Sequence, residues 1–314
     1  MSVDMNAARE MGGPARKGPL ASLARFVDNR FGQLVTLPSL LVIMLVVGFP
    51  TLYLIYTSFF NRDLLRQRFG FVGLHHYSEA LTSSAFWGYL GTTTIYSASS
   101  VVFGVGLSLL IAIVLDNVRS GKWFYLPVIL IPWMIPPVAT AIMWKWMIHD
   151  IYGILNVVLV NIGILQGPYH WLGDPVAAMA VLVSADVWYR SPFSILILYA
   201  GLQRIPSEIY DAAKIDGAGP LAYFRHITIP SIRPELLIVL VVSTMFVFRE
   251  FGLPYVLTGG GPGEATEVLA LAIYRRGNLL LRQGYASALS VIMLLITIGF
   301  VAIYFRLLSR EEQS

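Results

Sequence analysis

The chain has 314 residues, 56% of them hydrophobic and 13% charged, with a mean hydropathy of +0.69. A soluble domain carries about 25% charged residues, and here the deficit falls in apolar runs that reach the roughly 20 residues a membrane-spanning helix needs. That excludes a soluble globular domain; zero Cys excludes disulfides and thiolate metal sites; and the formal charge of +4 is no nucleic-acid signal, because the basic residues stand at the ends of apolar runs.

Residues 1–32 read as a polar cytosolic tail carrying Arg9, Arg16, Lys17, Arg25 and Arg30. The apolar run that follows exceeds the roughly 7–15 residues of a signal-peptide core, and no small-residue cleavage site stands out. The rest, 33–310, reads as an all-α polytopic domain with six spans at about 34–60, 88–115, 124–148, 175–200, 236–257 and 285–308, and a short C-terminal tail at 311–314. Pro50, Gly104, Gly106, Pro132, Pro136, Pro137, Pro192 and Pro254 fall within these spans. Neighbouring helices in a bundle can satisfy the backbone groups that such residues free.

Orientation follows from Lys and Arg. A cytosolic N-terminus places thirteen of them on inside segments and six, Arg62, Arg66, Arg68, Arg275, Arg276 and Arg282, on outside loops. The bias predicts both termini and the 201–234 loop in the cytosol.

That loop contains EIYDAAKIDGAGPLAYFRHITIP, residues 208–230. Pro206 suits a first helical turn, and Glu208 and Asp211 favour its positive end. Gly217 is a good C-cap, Gly219-Pro220 restarts a second short helix, and Pro230 and Pro234 stop it. Two short helices are expected to present Tyr210, Ala213, Phe224 and Ile227 beside the charges. A minimal return loop needs about 2–8 residues, so a docking surface is the favoured reading over a plain connection.

Within the fourth and fifth spans lie Asp186, Trp188, Tyr189, Arg190 and Phe193, and Phe246, Phe248, Arg249 and Glu250. Charges inside spans are costly and tend to face a cavity or a partner. Asp186 and Arg190, spaced i,i+4, suit a salt bridge along one helix; Arg249 and Glu250 are adjacent and cannot pair that way.

DAAKIDGAGPLAYFRHITIP with the later Pro234 resembles the EAA motif of ABC-importer permeases. Asp216, Gly217, Ala218, Phe224 and Pro230 match that motif, Ala212 and Ala213 supply its paired alanines, and Asp211 stands where the family usually has Glu. LTGGGPGEATEVLALAIYRRG with GYASALSVIMLL, and FVGLHHY with FWGYLGTTTIY, resemble the carbohydrate-uptake, maltose-transporter-like branch, and the resemblance covers about residues 35–308. It implies a type I ABC-importer permease fold with six transmembrane helices in the bacterial cytoplasmic (inner) membrane. It implies that Glu208, Tyr210, Asp211, Ala212, Ala213, Asp216, Gly217, Ala218, Phe224 and Pro230 form the coupling loop to a cytosolic ATPase, present as two copies. The further implied partners are a second permease subunit, a distinct paralogue, and an extracytoplasmic substrate-binding protein, with a carbohydrate as solute moved by alternating access. By the same resemblance Trp188, Tyr189, Arg190, Phe193, Phe248, Arg249 and Glu250 line the substrate path, with Trp133, Thr140 and Trp144 as lesser candidates.

Two Arg in one path suggest an anionic substrate such as a uronic-acid, sulfo- or phospho-sugar, since Arg is the preferred bidentate partner of such groups. The alternative is that Asp186 and Glu250 neutralise both. Gly259, Gly260, Gly261 and Pro262 lie outside by the charge count, as a plain turn or as a contact for the binding protein. They are not a phosphate loop, because no Lys-Ser/Thr follows. The five His have no metal-ligand spacing on one helix face, and no Ser has a nucleophile-elbow context. No catalytic site or cofactor is therefore expected in this chain; ATP and Mg belong to the partner ATPase. A self-sufficient secondary transporter or channel, an ABC importer of a non-sugar solute and a membrane-embedded enzyme are the rivals. The first would need intramembrane ion sites and matched halves, and the last a catalytic constellation.

Overall fold

The computed structural model describes residues 36–64, 66–118 and 120–311. The expected tail 1–32, the start of the first span at 34–35, Arg119 and residues 312–314 lie outside the described residues. The chain forms two compact units, Met1–Tyr56 and Thr57–Ser314. In the first, the described residues are helical from Thr36; this helix, α1, runs Thr36–Ser58, so its last two residues belong to the second unit. Its side chains are largely exposed, from Leu40 and Leu41 to Leu52.

The second unit opens on an antiparallel hairpin, β1 (Phe60–Asp63) and β2 (Arg68–Phe71), which pairs Phe60 with Phe71 and Asp63 with Arg68. Helices follow in order: α2 (His75–Thr82), α3 (Ser84–Asn117), α4 (Lys122–Met134), α5 (Pro137–Met147), α6 (Ile154–Asn161), α7 (Pro175–Leu202), α8 (Ser207–Ile215), α9 (Pro220–Ser231), α10 (Arg233–Phe248), α11 (Leu269–Tyr274) and α12 (Gln283–Glu311).

By length and composition α1, α3, α7 and α12 each suffice to cross a membrane, and two bent pairs raise the total to six. The third expected span, 124–148, is one of these pairs. α4 and α5 meet at 95°, because Ile135 precedes Pro136-Pro137 and is held extended at ψ 128°. The other pair is α9 and α10, bent by 71° at Ile232. The expected fifth span, 236–257, therefore needs correction. Its helix ends at Phe248; Glu250 Oε1 accepts the Leu253 amide at 3.1 Å, and a separate π-helical turn runs Pro254–Thr258.

α7 is the central element. Asp174 caps its start by accepting the Ala177 amide at 2.7 Å, with Pro175 in the first turn. It lies along α3, where Ser100, Gly104, Ser108 and Ala112 recur every fourth residue and let the two backbones approach. Ser108 Oγ reaches across to Ser191 O at 3.2 Å, beside Pro192, which can donate no amide proton within α7. A second apolar cluster joins Phe86 and Tyr89 of α3 to Phe248, Leu269 and Leu289.

The junction of β1, α2 and α12 needs a close approach. A Cβ on Gly284 would stand 2.1 Å from Phe60 O, so only glycine lets α12 start against β1. Beside it lies buried His76, facing Glu79 at 3.6 Å; Arg282 holds Glu79 in a fork at 2.7 and 3.0 Å. Burial pushes the His76 imidazole below its ordinary range.

Candidate functional site: an aromatic cavity and a helical loop between the same two helices

A cavity of about 490 Å³ opens between α4, α7 and α10. Trp133, Phe193, Tyr189 and Phe246 form its aromatic walls, with Ser194 and Ser243 as small polar positions and Arg190 and Glu250 as its charges. Trp133 stacks on Phe193 with centroids 5.8 Å apart. Arg190 lies 5.3 Å from the Tyr189 centroid and 5.8 Å from that of Phe246, within cation–π range.

Arg190 is held between two carboxylates. Its Nε donates to Asp186 Oδ1 at 2.7 Å, and its Nη2 pairs with Glu250. Asp186 also accepts from Tyr96 Oη at 2.9 Å, so α3, α7 and the end of α10 meet in one network. The Asp186 side chain is 1% exposed, Arg190 17% and Glu250 10%. A buried carboxylate is retained at such a place only with paired charge and hydrogen bonds.

Of the residues expected on the path, the cavity brings together Tyr189, Arg190, Phe193 and Glu250. It excludes three others. Trp188 turns toward Trp144, 6.5 Å away, and Phe248 is buried against Phe300 at 5.2 Å. Arg249 borders a different cavity, with Ala270, Ser290 and Thr297. Arg190 and Arg249 thus border different cavities of this chain, because α10 ends between Phe248 and Glu250 and the last residues diverge. Thr140 is buried in the core, and Trp144 packs against it. The sequence singled out Phe246 without assigning it to the path and passed over Ser243; their spacing to Glu250, i, i+3 and i+7, is the helical signal that would have placed them.

The loop between α7 and α10 forms two short helices. At the end of α8 the Gly217 amide donates to Lys214 O at 3.1 Å and the Ala218 amide to Ala213 O at 3.0 Å, a complete Schellman closure with Gly217 at φ +76°. Lys214 Nζ pairs with Asp211 at 2.9 Å, which holds the amine above its ordinary range. Glu208, Ala212 and Asp216 are exposed and Ala218 is half-buried.

Two expectations for the loop change. Tyr210, Ala213 and Ile227 are half-buried, with Tyr210 Oη 3.1 Å from Thr228 Oγ1. The exposed apolar residues are Ile215 at 87% and Leu221 at 77%, with Ile209 and Phe224 beside them. Pro230 does not stop the second helix either. The chain widens into a π-turn over Phe224–Thr228 and passes through Pro230, and the break falls at Ile232, with Pro234 opening α10.

The Gly-rich segment is a hydrogen-bonded knot, not a plain turn. Arg275 holds Gly259 O and donates to Glu267 Oε2 at 2.6 Å, and Thr266 Oγ1 reaches Gly261 O at 2.7 Å. Gly260 is buried, with φ +83° and Leu271 closing the space a side chain would need; Gly261 and Pro262 are half-buried. Burial raises the Glu267 carboxyl above the usual carboxylate range, against the pull of Arg275.

The family model described as the binding-protein-dependent transport system inner membrane component matches residues 104–312. The chain belongs to this family. It is 34% identical over 287 residues to the trehalose/maltose transport system permease protein MalF of Thermococcus litoralis, covering 91% of this chain and 96% of that one. It is 31% identical over 286 residues to the sulfoquinovosyl glycerol transport system permease protein SmoG of Agrobacterium fabrum, covering 91% and 92%. In fold it is similar to a chain of a bacterial ABC transporter that imports the acidic polysaccharide alginate, with a TM-score of 0.75 at 21% identity over 91% of this chain and 99% of that one. The fold is thus that of an ABC-importer permease, and the chain is an inner-membrane component of a binding-protein-dependent transport system.

Proposed function

We propose that the chain is one permease subunit of an ATP-driven importer that moves a carbohydrate or sugar derivative into the cytosol by alternating access. The observation that carries this is the linkage of the two sites. α7 and α10, which line the aromatic cavity, are the same helices that the α8–α9 loop joins. A displacement of Ile215 and Leu221 at the loop would reach Arg190 through α7, and Glu250 through the break at Ile232 and α10. Aromatic faces suit the C–H face of a sugar ring, while Ser194, Ser243 and the Arg190–Glu250 pair offer donors and acceptors to its hydroxyls.

The rest of the assembly follows the family. Two copies of a cytosolic ATPase supply ATP and Mg chemistry and receive the coupling loop. A second permease chain, a distinct paralogue, completes the pathway. An extracytoplasmic binding protein delivers the solute near the Gly259–Pro262 knot and the exposed Gly263 and Glu264. The membrane is the bacterial cytoplasmic (inner) membrane, with both termini inside.

The relatives named for trehalose/maltose and for sulfoquinovosyl glycerol bracket a neutral and an acidic solute. In the cavity Arg190 is flanked by Asp186 and Glu250, so an acidic sugar that reaches its remaining N–H donors also meets two carboxylates. A neutral sugar meets no such repulsion.

The test is ATPase activity of the complex, co-expressed with its genomic neighbours and reconstituted in lipid, with and without binding protein and candidate sugars. Hydrolysis should rise with loaded binding protein and be abolished by Gly217→Asp while all subunits still co-purify. A chain that binds no ATPase and moves solute on an ion gradient alone would sink the importer reading.

A further inference from the structure

The break that ends α10 leaves one guanidinium without a counter-charge. Arg249 caps the helix, and no carboxylate pairs with it among the described residues. Glu250, the next residue, turns into the aromatic cavity toward Arg190. Arg249 faces elsewhere, onto an open cavity of about 300 Å³ bordered by Ala270, Ile273, Ser290, Met293 and Thr297. The two hydroxyls there donate to their own helix, Ser290 to Ala286 O at 2.9 Å and Thr297 to Met293 O at 2.8 Å.

Depth decides what this cation needs. Arg249 stands about 24 Å along α10 from its coupling-loop end, at roughly 1.5 Å per residue, which in a hydrocarbon core of about 30 Å leaves it roughly 6 Å inside the far face. An Arg near a helix end can escape by reaching up to the headgroups. This one does not: its Nε donates to Met245 O at 3.1 Å, one turn back, so the side chain folds toward the coupling-loop end. Leu294, Ile298 and Val301 continue from the cavity down α12 at i, i+4 and i+7; Ile298 is 53% and Val301 38% exposed. Acyl chains satisfy such a stripe but not a guanidinium at its head. A packed membrane helix that carries an acidic side chain satisfies both.

We propose that Arg249 is an ion-pair site for an Asp or Glu of the second permease chain, seated against α10 and α12. This rests on the reading of the chain as one of a permease pair. It gives Arg190 and Arg249 separate tasks: Arg190 is balanced within the chain and lies in the cavity, whereas Arg249 is balanced only by assembly.

The experiment uses the whole transporter, with a tag on this chain, and measures the second permease recovered in mild detergent. Arg249→Glu should lower recovery by roughly ten-fold, the effect of about 1.4 kcal/mol, while Arg249→Lys retains most of it. Placing Arg at one membrane-embedded Asp or Glu of the second permease should restore recovery to Arg249→Glu, which also shows that the variant folds. Normal recovery with Arg249→Glu overturns the proposal, as does failure of every such carboxylate to rescue. Normal recovery with selective loss of acidic-solute uptake overturns it too, and assigns Arg249 to the substrate. If even the unaltered chain recovers no second permease, the permease-pair reading fails as well.

Discussion

At the scale of single residues, the decisive group is Arg190, because three elements converge on its charge. Asp186 is buried and Glu250 nearly so, and each depends on that guanidinium. Removing one member of a buried ion network typically costs about 3–5 kcal/mol, because the rest is left uncompensated. Arg190→Gln is therefore expected to lower the thermal unfolding temperature of the detergent-solubilised complex markedly, whereas Glu250→Gln, which leaves Asp186 paired, lowers it less. Equal, small shifts would mean that water reaches the network. Gly217 is the second such residue. A Cβ there meets nothing within 4 Å, but φ +76° is left-handed, and a non-glycine residue loses about 1–2 kcal/mol in that region. Gly217→Ala should preserve assembly while reducing substrate-stimulated ATPase activity; full stimulation would detach the loop geometry from coupling.

Among elements, the junction of β1, α2 and α12 has a pH dependence of defined sign. His76 has its folded-state pKa below the ordinary 6.5, because burial disfavours the charged ring. As pH falls through 6.5, the opened junction takes up a proton that the closed one resists, so stability is lost on the acid side and is fully present above 6.5. The protection of the β1–β2 amides, taken against the intrinsic exchange rate at each pH, should fall below pH 6.5 in the parent chain and lose that dependence in His76→Gln; an unchanged profile between the two would remove His76 as the cause. The elements also show where sequence rules gave way. Pro230 reads as a stop, yet a π-turn just before it absorbs the missing amide and the helix continues. Pro136-Pro137, by contrast, breaks its span as a prolyl pair should, and so turns Trp133 at the end of α4 onto Phe193.

For the whole molecule, the orientation rests on where Lys and Arg fall, and the absence of native Cys makes it directly testable. Single Cys at Ser207 and at Gly263 should label from opposite faces of right-side-out vesicles, Gly263→Cys with an impermeant maleimide added outside and Ser207→Cys only after permeabilisation. The reverse pattern would invert the topology and remove the coupling loop from the ATPase side. The fold class, the apolar runs and the helical loop were legible because each is written locally, in run length, in Gly217 and Pro220, and in the spacing of charges, whereas the break that ends α10 at Phe248 was not. The composition of the cavity was only half legible. Arg190 and Glu250 lie 60 positions apart, and nothing local states that they meet, or that Arg249 and Trp188 point away from them.

What the sequence by itself determined is therefore whatever depends on neighbours along the chain: apolar length, helix caps and the break before the Pro136-Pro137 pair. What only the tertiary structure decided is which charges are already satisfied. Pairing in a low-dielectric interior depends on distances of a few ångströms between helices, and adjacent residues such as Arg249 and Glu250 diverge once α10 stops between them and Phe248. The same packing joins α7 and α10 both at the cavity and through the loop, so a local motif at residues 208–230 reaches a network that no local pattern describes.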